Sequence, residues 1–108
     1  MSNGLYVLDD DGQPLLMPDV LVWARWIESH ALSVQEDWMD EHIRVSTVFL
    51  GIDNSWGVGD PILWETMVFG GRCNGYVRRY TSRADANAGH GKTVAMVKAT
   101  IAKVRRRV

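Results

Sequence analysis

The hydrophobic positions of this chain follow two different periods, and the changes of period mark its elements. Residues 5–8 form a short apolar run, Asp10, Asp11 and Gly12 read as a turn, and residues 13–17 return as a second short strand. Pro18 suits a first helical position, and Asp19 sits favourably beside a helix dipole. Val20, Trp23, Ile27 and Ala31 then recur at helical spacing, which predicts an amphipathic helix over roughly 18–30.

From residue 33 the period shortens to two. Val34, Glu36 and Trp38 share one face of a strand over 33–38, and a turn around residues 39–41 leads into a β-branched strand over 43–50. Residues 51–60 form a polar, glycine-bearing loop. A strand over 62–69 follows, with Leu63, Glu65, Met67 and Phe69 on one face and Ile62, Trp64, Thr66 and Val68 on the other. A turn over 70–75 and a last strand over 76–80 complete the β region. Ser82, with Asp85 three positions on, resembles a capping box and opens a final helix. Its apolar stripe is His90, Val94, Val97, Ile101, Val104 and Val108, leaving the lysines and arginines toward water. Short loops between successive strands favour antiparallel pairing. The expected architecture is a single α+β domain over 1–108, a mostly antiparallel β-meander of about four strands packed by two helices, with a short N-terminal hairpin.

Composition adds limits to this picture. A chain of 108 residues with 46% hydrophobic and 23% charged positions can bury a core without disulfides or metal, and is unlike a disordered segment. Five tryptophans are many for this size, and burial of at least three is expected. Cys73 is the single cysteine, so an internal disulfide is excluded and a reducing cytoplasm is the expected setting. No signal peptide is visible, since Asp9, Asp10 and Asp11 interrupt the N-terminus, and no apolar run reaches the ~20 residues of a membrane span.

Charge changes the picture most. Residues 1–70 hold twelve carboxylates against Arg25 and Arg44, whereas residues 71–108 hold ten basic side chains against Asp85. The overall net charge of −1 conceals two opposed blocks, a pattern that points to partner binding more than to small-molecule chemistry. The acidic block offers Glu36, Asp37, Asp40, Glu41, Asp53 and Asp60, with Trp56 as an apolar anchor, as a surface that mimics phosphates in a partner's basic groove. The basic block offers Arg72, Arg78, Arg79 and Arg83, with Tyr76 and Tyr80 and the further bases of the last helix, as a nucleic-acid surface. Opposed blocks also permit head-to-tail association or a homodimer.

Catalytic chemistry has little support. Gly91, Lys92 and Thr93 look like the end of a phosphate-binding loop, but the glycine required five residues before Gly91 is Ala86, and the segment reads as helix interior. No Cys pair or two-His helical spacing suggests a metal, no nucleophile motif suggests an enzyme, and no cofactor is expected. Glu65 shares a strand face with Leu63, Met67 and Phe69, so it must be paired. A Glu65–His90 contact across the helix–sheet interface is expected to satisfy both groups. It serves equally as a structural pair or, with Asp53, as the centre of a small hydrolase or metal-dependent site. Gly89 and Gly91 flanking His90 imply a close approach to the helix backbone or an irregular helix.

The blocks VSTVFLGID at 45–53, WETMVFGG at 64–71, RYTS at 79–82 and AGH at 88–90 resemble a group of small uncharacterised bacteriophage and prophage proteins. The resemblance spans roughly residues 40–100, and several separate blocks occur in order. Members of the group carry a histidine after the aspartate of the first block, where this chain has Asn54. The resemblance implies a phage accessory protein acting in the bacterial host cytoplasm and carries no catalytic residues. Small size, segregated charge and this resemblance lead to an expected function. The chain is read as a stoichiometric inhibitor of a host protein or ribonucleoprotein, an anti-CRISPR or other anti-defence protein acting through its acidic surface. The alternative is a nucleic-acid-binding accessory protein using the basic region.

Overall fold

A computed structural model describes residues 4–106; Val108 of the predicted stripe and Arg107 of the basic tail lie outside the described residues. The elements are β1 (Tyr6–Leu8), β2 (Pro14–Leu16), α1 (Val20–Ser29), β3 (Ser33–Trp38), β4 (Arg44–Phe49), β5 (Trp64–Phe69), β6 (Val77–Tyr80) and α2 (Arg83–Arg106). β1 and β2 form an antiparallel hairpin, and β3–β4–β5–β6 form an antiparallel meander in sequence order. This is the expected α+β domain with its N-terminal hairpin.

Local chemistry accounts for the turns. Asp9 Oδ1 accepts from the amides of Asp11 and Gln13, both at 2.9 Å, and Gly12 supplies the positive φ of +78° that closes the first hairpin. Asp19, not Pro18, sets the start of α1: its Oδ1 accepts from the amides of Leu21 and Val22 at 3.0 and 3.2 Å, which makes it the N-cap and puts Pro18 outside the helix. Ser82 caps α2 by accepting from the Asp85 amide at 3.0 Å.

Cross-strand register decides which face of the sheet is buried. Val45 pairs with Val68, Thr47 with Thr66 and Phe49 with Trp64, and all six side chains are buried beneath α2 or beside its first turn. Val45, Val68, Phe49 and Trp64 give this face its apolar contacts, and a fully buried apolar side chain contributes about 1.5–3 kcal/mol. The second face carries Glu36 and Trp38 from β3, Arg44, Ser46 and Val48 from β4, Glu65, Met67 and Phe69 from β5, and Val77 and Arg79 from β6.

α2 meets the sheet with Ala86, Gly89, His90, Thr93 and Val97. A Cβ at Gly89 would overlap the Tyr80 ring, so the expected close approach to the helix backbone is real, whereas a Cβ at Gly91 would meet nothing. Two expectations are corrected. Only α2 covers the meander; α1 lies against β1, with Trp26 reaching Phe49 edge-on at 6.0 Å. Its stripe is half-buried at Trp23 and Ile27 and exposed at Val20, because a two-stranded hairpin is too small to cover a helix face. Of the tryptophans, Trp64 alone is fully buried, Trp23 and Trp26 are half-buried, and Trp38 and Trp56 are exposed.

Candidate functional site

A chain of polar contacts runs through the interface between α2 and the sheet. Tyr80 donates its hydroxyl to Thr66 Oγ1 at 3.0 Å, Thr66 Oγ1 lies 2.5 Å from Thr47 Oγ1, and Thr47 Oγ1 lies 2.7 Å from His90 Nδ1. The far ring nitrogen, His90 Nε2, is 2.7 Å from Asp37 Oδ2. Only one assignment of protons satisfies every hydroxyl along this chain. Tyr80 donates to Thr66, Thr66 to Thr47 and Thr47 to Nδ1, while Nε2–H donates to the Asp37 carboxylate, so the network assigns the Nε2–H tautomer to His90. Thr47, Thr66 and Tyr80 are buried and His90 is 1% exposed, so no substrate reaches the imidazole. The geometry resembles an acid–histidine–hydroxyl relay but stabilises a core instead.

The expected Glu65–His90 pair is therefore corrected. Thr66, not Glu65, faces α2, because the register places Trp64, Thr66 and Val68 on the helix side. Glu65 points to the second face and accepts from Arg79 Nε at 2.9 Å. Asp53 lies in the loop after β4 and holds it together: its Oδ1 accepts from the amides of Ser55 at 2.7 Å and Ile62 at 2.9 Å, and its Oδ2 from Ser55 Oγ at 2.8 Å. Burial raises the proton affinity of this carboxylate, but the three hydrogen bonds outweigh it and hold the pKa below the ordinary aspartate value. Glu65, His90 and Asp53 thus do not converge. Among the described residues no three His, Cys, Asp or Glu side chains form a cation cluster. Gly91, Lys92 and Thr93 lie inside α2, where the Thr93 hydroxyl donates to the Gly89 carbonyl at 2.8 Å, so they form no phosphate loop.

The acidic candidates divide between the two ends of β4. Asp40 and Glu41 occupy the turn before it, with Glu36 and Asp37 on the adjoining strand, whereas Asp53, Trp56 and Asp60 occupy the loop after it. Three of the first four already serve this chain's own structure. Glu36 accepts from the Trp38 indole at 2.9 Å and lies 3.7 Å from Arg44, Asp37 holds His90, and Asp40 accepts from the amides of His42 and Ile43. Trp56, 68% exposed with φ +57°, stands clear of the core at the loop tip.

The basic candidates gather more closely. Arg78, Arg79 and Lys92 line a hollow of about 400 Å³ between β6 and α2, with Tyr80, Gly89 and Asp85. Arg72, Lys103 and Arg106 line a second hollow, about 610 Å³, beside the C-terminal half of α2, with Met96 and Ala99. Asp85, Ala88, Lys92, Met96, Ala99, Lys103 and Arg106 recur at spacings of three and four, so the two hollows follow one face of the helix for about 30 Å. Arg72, Arg78, Lys92, Lys103 and Arg106 have no carboxylate within ion-pair distance among the described residues. Arg79 is paired with Glu65, and Arg83 stands apart, beside Gly12 at the start of α2.

Sequence reasoning gave the basic surface the bases of the last helix without saying which, and it missed two other features. Lys92, Lys103 and Arg106 are the helix bases that line the two hollows. Leu15 and Leu16 at the end of β2 and Val20, Leu21 and Val22 in the first turn of α1 are exposed aliphatic side chains. The second face of the meander is bare, with Trp38, Phe69 and Val77 exposed. No helix of the described residues is long and apolar enough to cross a membrane. The chain matches no protein-family model, no curated protein and no solved structure.

Proposed function

We propose that this protein binds nucleic acid along the cationic face between β6 and α2, as an accessory protein of a bacteriophage acting in the host cytoplasm. The observation that carries the reading is the row of Arg72, Arg78, Lys92, Lys103 and Arg106, which have no ion-pair partner among the described residues and line two hollows along one helix face, with Asp85 the one acid lining those two. Unpaired cations in a line attract a phosphate backbone and release its counterions. Contacts of this kind position a strand without reading its bases, so sequence preference should be weak. The phage setting rests on the resemblance of the blocks within 40–100, and the cytoplasmic setting on the lone thiol of Cys73.

A second reading, a stoichiometric inhibitor of a host defence complex such as a CRISPR effector, is favoured by Trp38, 59% exposed beside Glu36, and by the nearby Asp40 and Glu41. It ranks lower because Glu36, Asp37 and Asp40 are already engaged by groups of this chain.

Fluorescence anisotropy with labelled single-stranded DNA, duplex DNA and RNA across a salt series tests the first reading. Five phosphate contacts predict a log–log salt slope of about −3.5 on single strands and about −4.5 on duplex, a loss on the order of a hundredfold and of several hundredfold respectively between 50 and 200 mM salt. Arg78→Ala with Lys92→Ala, and Lys103→Ala with Arg106→Ala, should each weaken binding, whereas Asp40→Lys with Glu41→Lys should not. Absence of binding at low salt, or binding indifferent to the basic substitutions, overturns it. Loss of a host-protein complex in the acidic variants alone would favour the second reading.

A further inference from the structure

We propose that the bare face of the meander is a homodimer interface, closed by the same face of a second copy. This goes beyond the nucleic-acid reading and is independent of it, since the cationic row lies on the helix side of the sheet. Among the described residues no helix lies over this face, whose aromatic end is the row Trp38, Arg44 and Phe69 and whose middle row is Glu36, Ser46, Met67 and Val77. The Arg44 guanidinium stacks over the Phe69 ring at 4.3 Å and near the Trp38 ring at 5.7 Å, so the cation is covered by aromatic surface. Met67, Val48 and Val77 continue the apolar surface toward β6. Trp, Phe, Met and Arg together are the residue types enriched at protein interfaces.

Charge identifies the occupant. The face carries Glu36 and Glu65 against Arg44 and Arg79, and each carboxylate is already paired within the face. It is neutral as a whole and so attracts neither a polyanion nor a strongly basic partner. The more exposed members of the two ion pairs are Glu36 on β3, 40% exposed, and Arg79 on β6, 51% exposed. They sit on opposite edge strands of the four-stranded sheet. A two-fold axis parallel to the strands lays β3 of one copy over β6 of the other, with Glu36 level with Val77 and two residues along the strand from Arg79 of the second copy, a contact made twice. The face is thus complementary to itself in charge as well as polarity. Aligned packing of two sheets at about 10 Å covers the Trp38, Arg44 and Phe69 row together with Met67 and Val77 and leaves α2 of each copy on the outside. Three strands of six residues and one of four give a footprint on the order of 400 Å² per copy, about 800 Å² in total, below the ~1,000 Å² of a stable interface, so the dimer is a weak and reversible one.

Sedimentation equilibrium of the full chain over about 10 to 500 µM measures it directly. A reversible monomer–dimer equilibrium is expected. Trp38→Ala and Val77→Glu, both at exposed positions, should weaken it by about tenfold or more with circular dichroism unchanged. Glu36→Arg and Arg79→Glu should each weaken it, and the two combined should restore it. A chain that stays monomeric throughout overturns the proposal, as does a dimer unmoved by Trp38→Ala and Val77→Glu. A double charge exchange that recovers nothing overturns the stated orientation.

Discussion

His90 Nε2 donates to Asp37 Oδ2 at 2.7 Å, tying the middle of α2 to the edge strand β3 across 53 residues of sequence. The imidazole is buried and the carboxylate is half exposed, so the interface is pinned by a polar bond that reaches its rim. Behind His90 the hydroxyls of Thr47, Thr66 and Tyr80 continue the chain of bonds across three strands. A buried polar chain of this kind stabilises when every member is satisfied and is costly when one is removed.

Thr47→Val should therefore destabilise the fold by about 1–3 kcal/mol, because it leaves His90 Nδ1 and the Thr66 hydroxyl without their partner in a dry interface. Thr47→Val combined with Thr66→Val should cost less than the sum of the single changes, since both disrupt one network. Urea unfolding of the three variants measures this. Strict additivity would show that the two hydroxyls act separately.

The two glycines beside His90 should respond in opposite directions to alanine. Gly91→Ala adds a methyl into open space and gains about 1 kcal/mol of helix propensity. Gly89→Ala gains the same propensity but drives its methyl into the Tyr80 ring, and the overpacking costs about 1–3 kcal/mol. Thermal unfolding should show Gly91→Ala raised and Gly89→Ala lowered. Equal shifts would contradict the close approach of α2 to β6.

Asp53 makes the loop after β4 sensitive to acid. Its pKa in the folded chain lies below that of the unfolded chain, so the unfolded state takes up the proton first as pH falls. Its contribution to stability is complete above the ordinary aspartate value of about 3.9 and is lost as pH falls through the lowered native value. Asp53→Asn should remove this part of the acid dependence and loosen the loop at neutral pH. Denaturation of both proteins between pH 7 and the acid limit checks it; parallel curves would refute the role.

Trp56 combines a left-handed backbone, φ +57°, with a side chain that is mostly in solvent. A non-glycine residue in this region costs about 1–2 kcal/mol, so Trp56→Gly should leave stability unchanged or raise it. A loss of more than about 1 kcal/mol in chemical denaturation would mean that the indole packs on the protein.

Much of the fold was legible in the chain itself. Period-two runs and the β-branched stretch at 43–50 announced the meander. Ser82 announced the start of α2, and the glycines flanking His90 offered a close helix contact as one of two readings, which the structure bears out at Gly89. These are local signals, since each depends on residues a few positions apart. The segregation of charge was equally plain, because counting needs no geometry.

Only the tertiary structure decided which partner each polar residue takes. The strand over 62–69 carries apolar side chains on both faces, so its own sequence could not say whether Glu65 or Thr66 meets α2. Pairing Thr47 with Thr66 and Phe49 with Trp64 turned Glu65 outward to Arg79 and left His90 to Thr47 and Asp37. The same register left Trp38, Arg44 and Phe69 on a bare surface and set Arg78 beside Lys92. Register is a relation between distant strands, and a shift of one residue exchanges the two faces, so no single segment contains it.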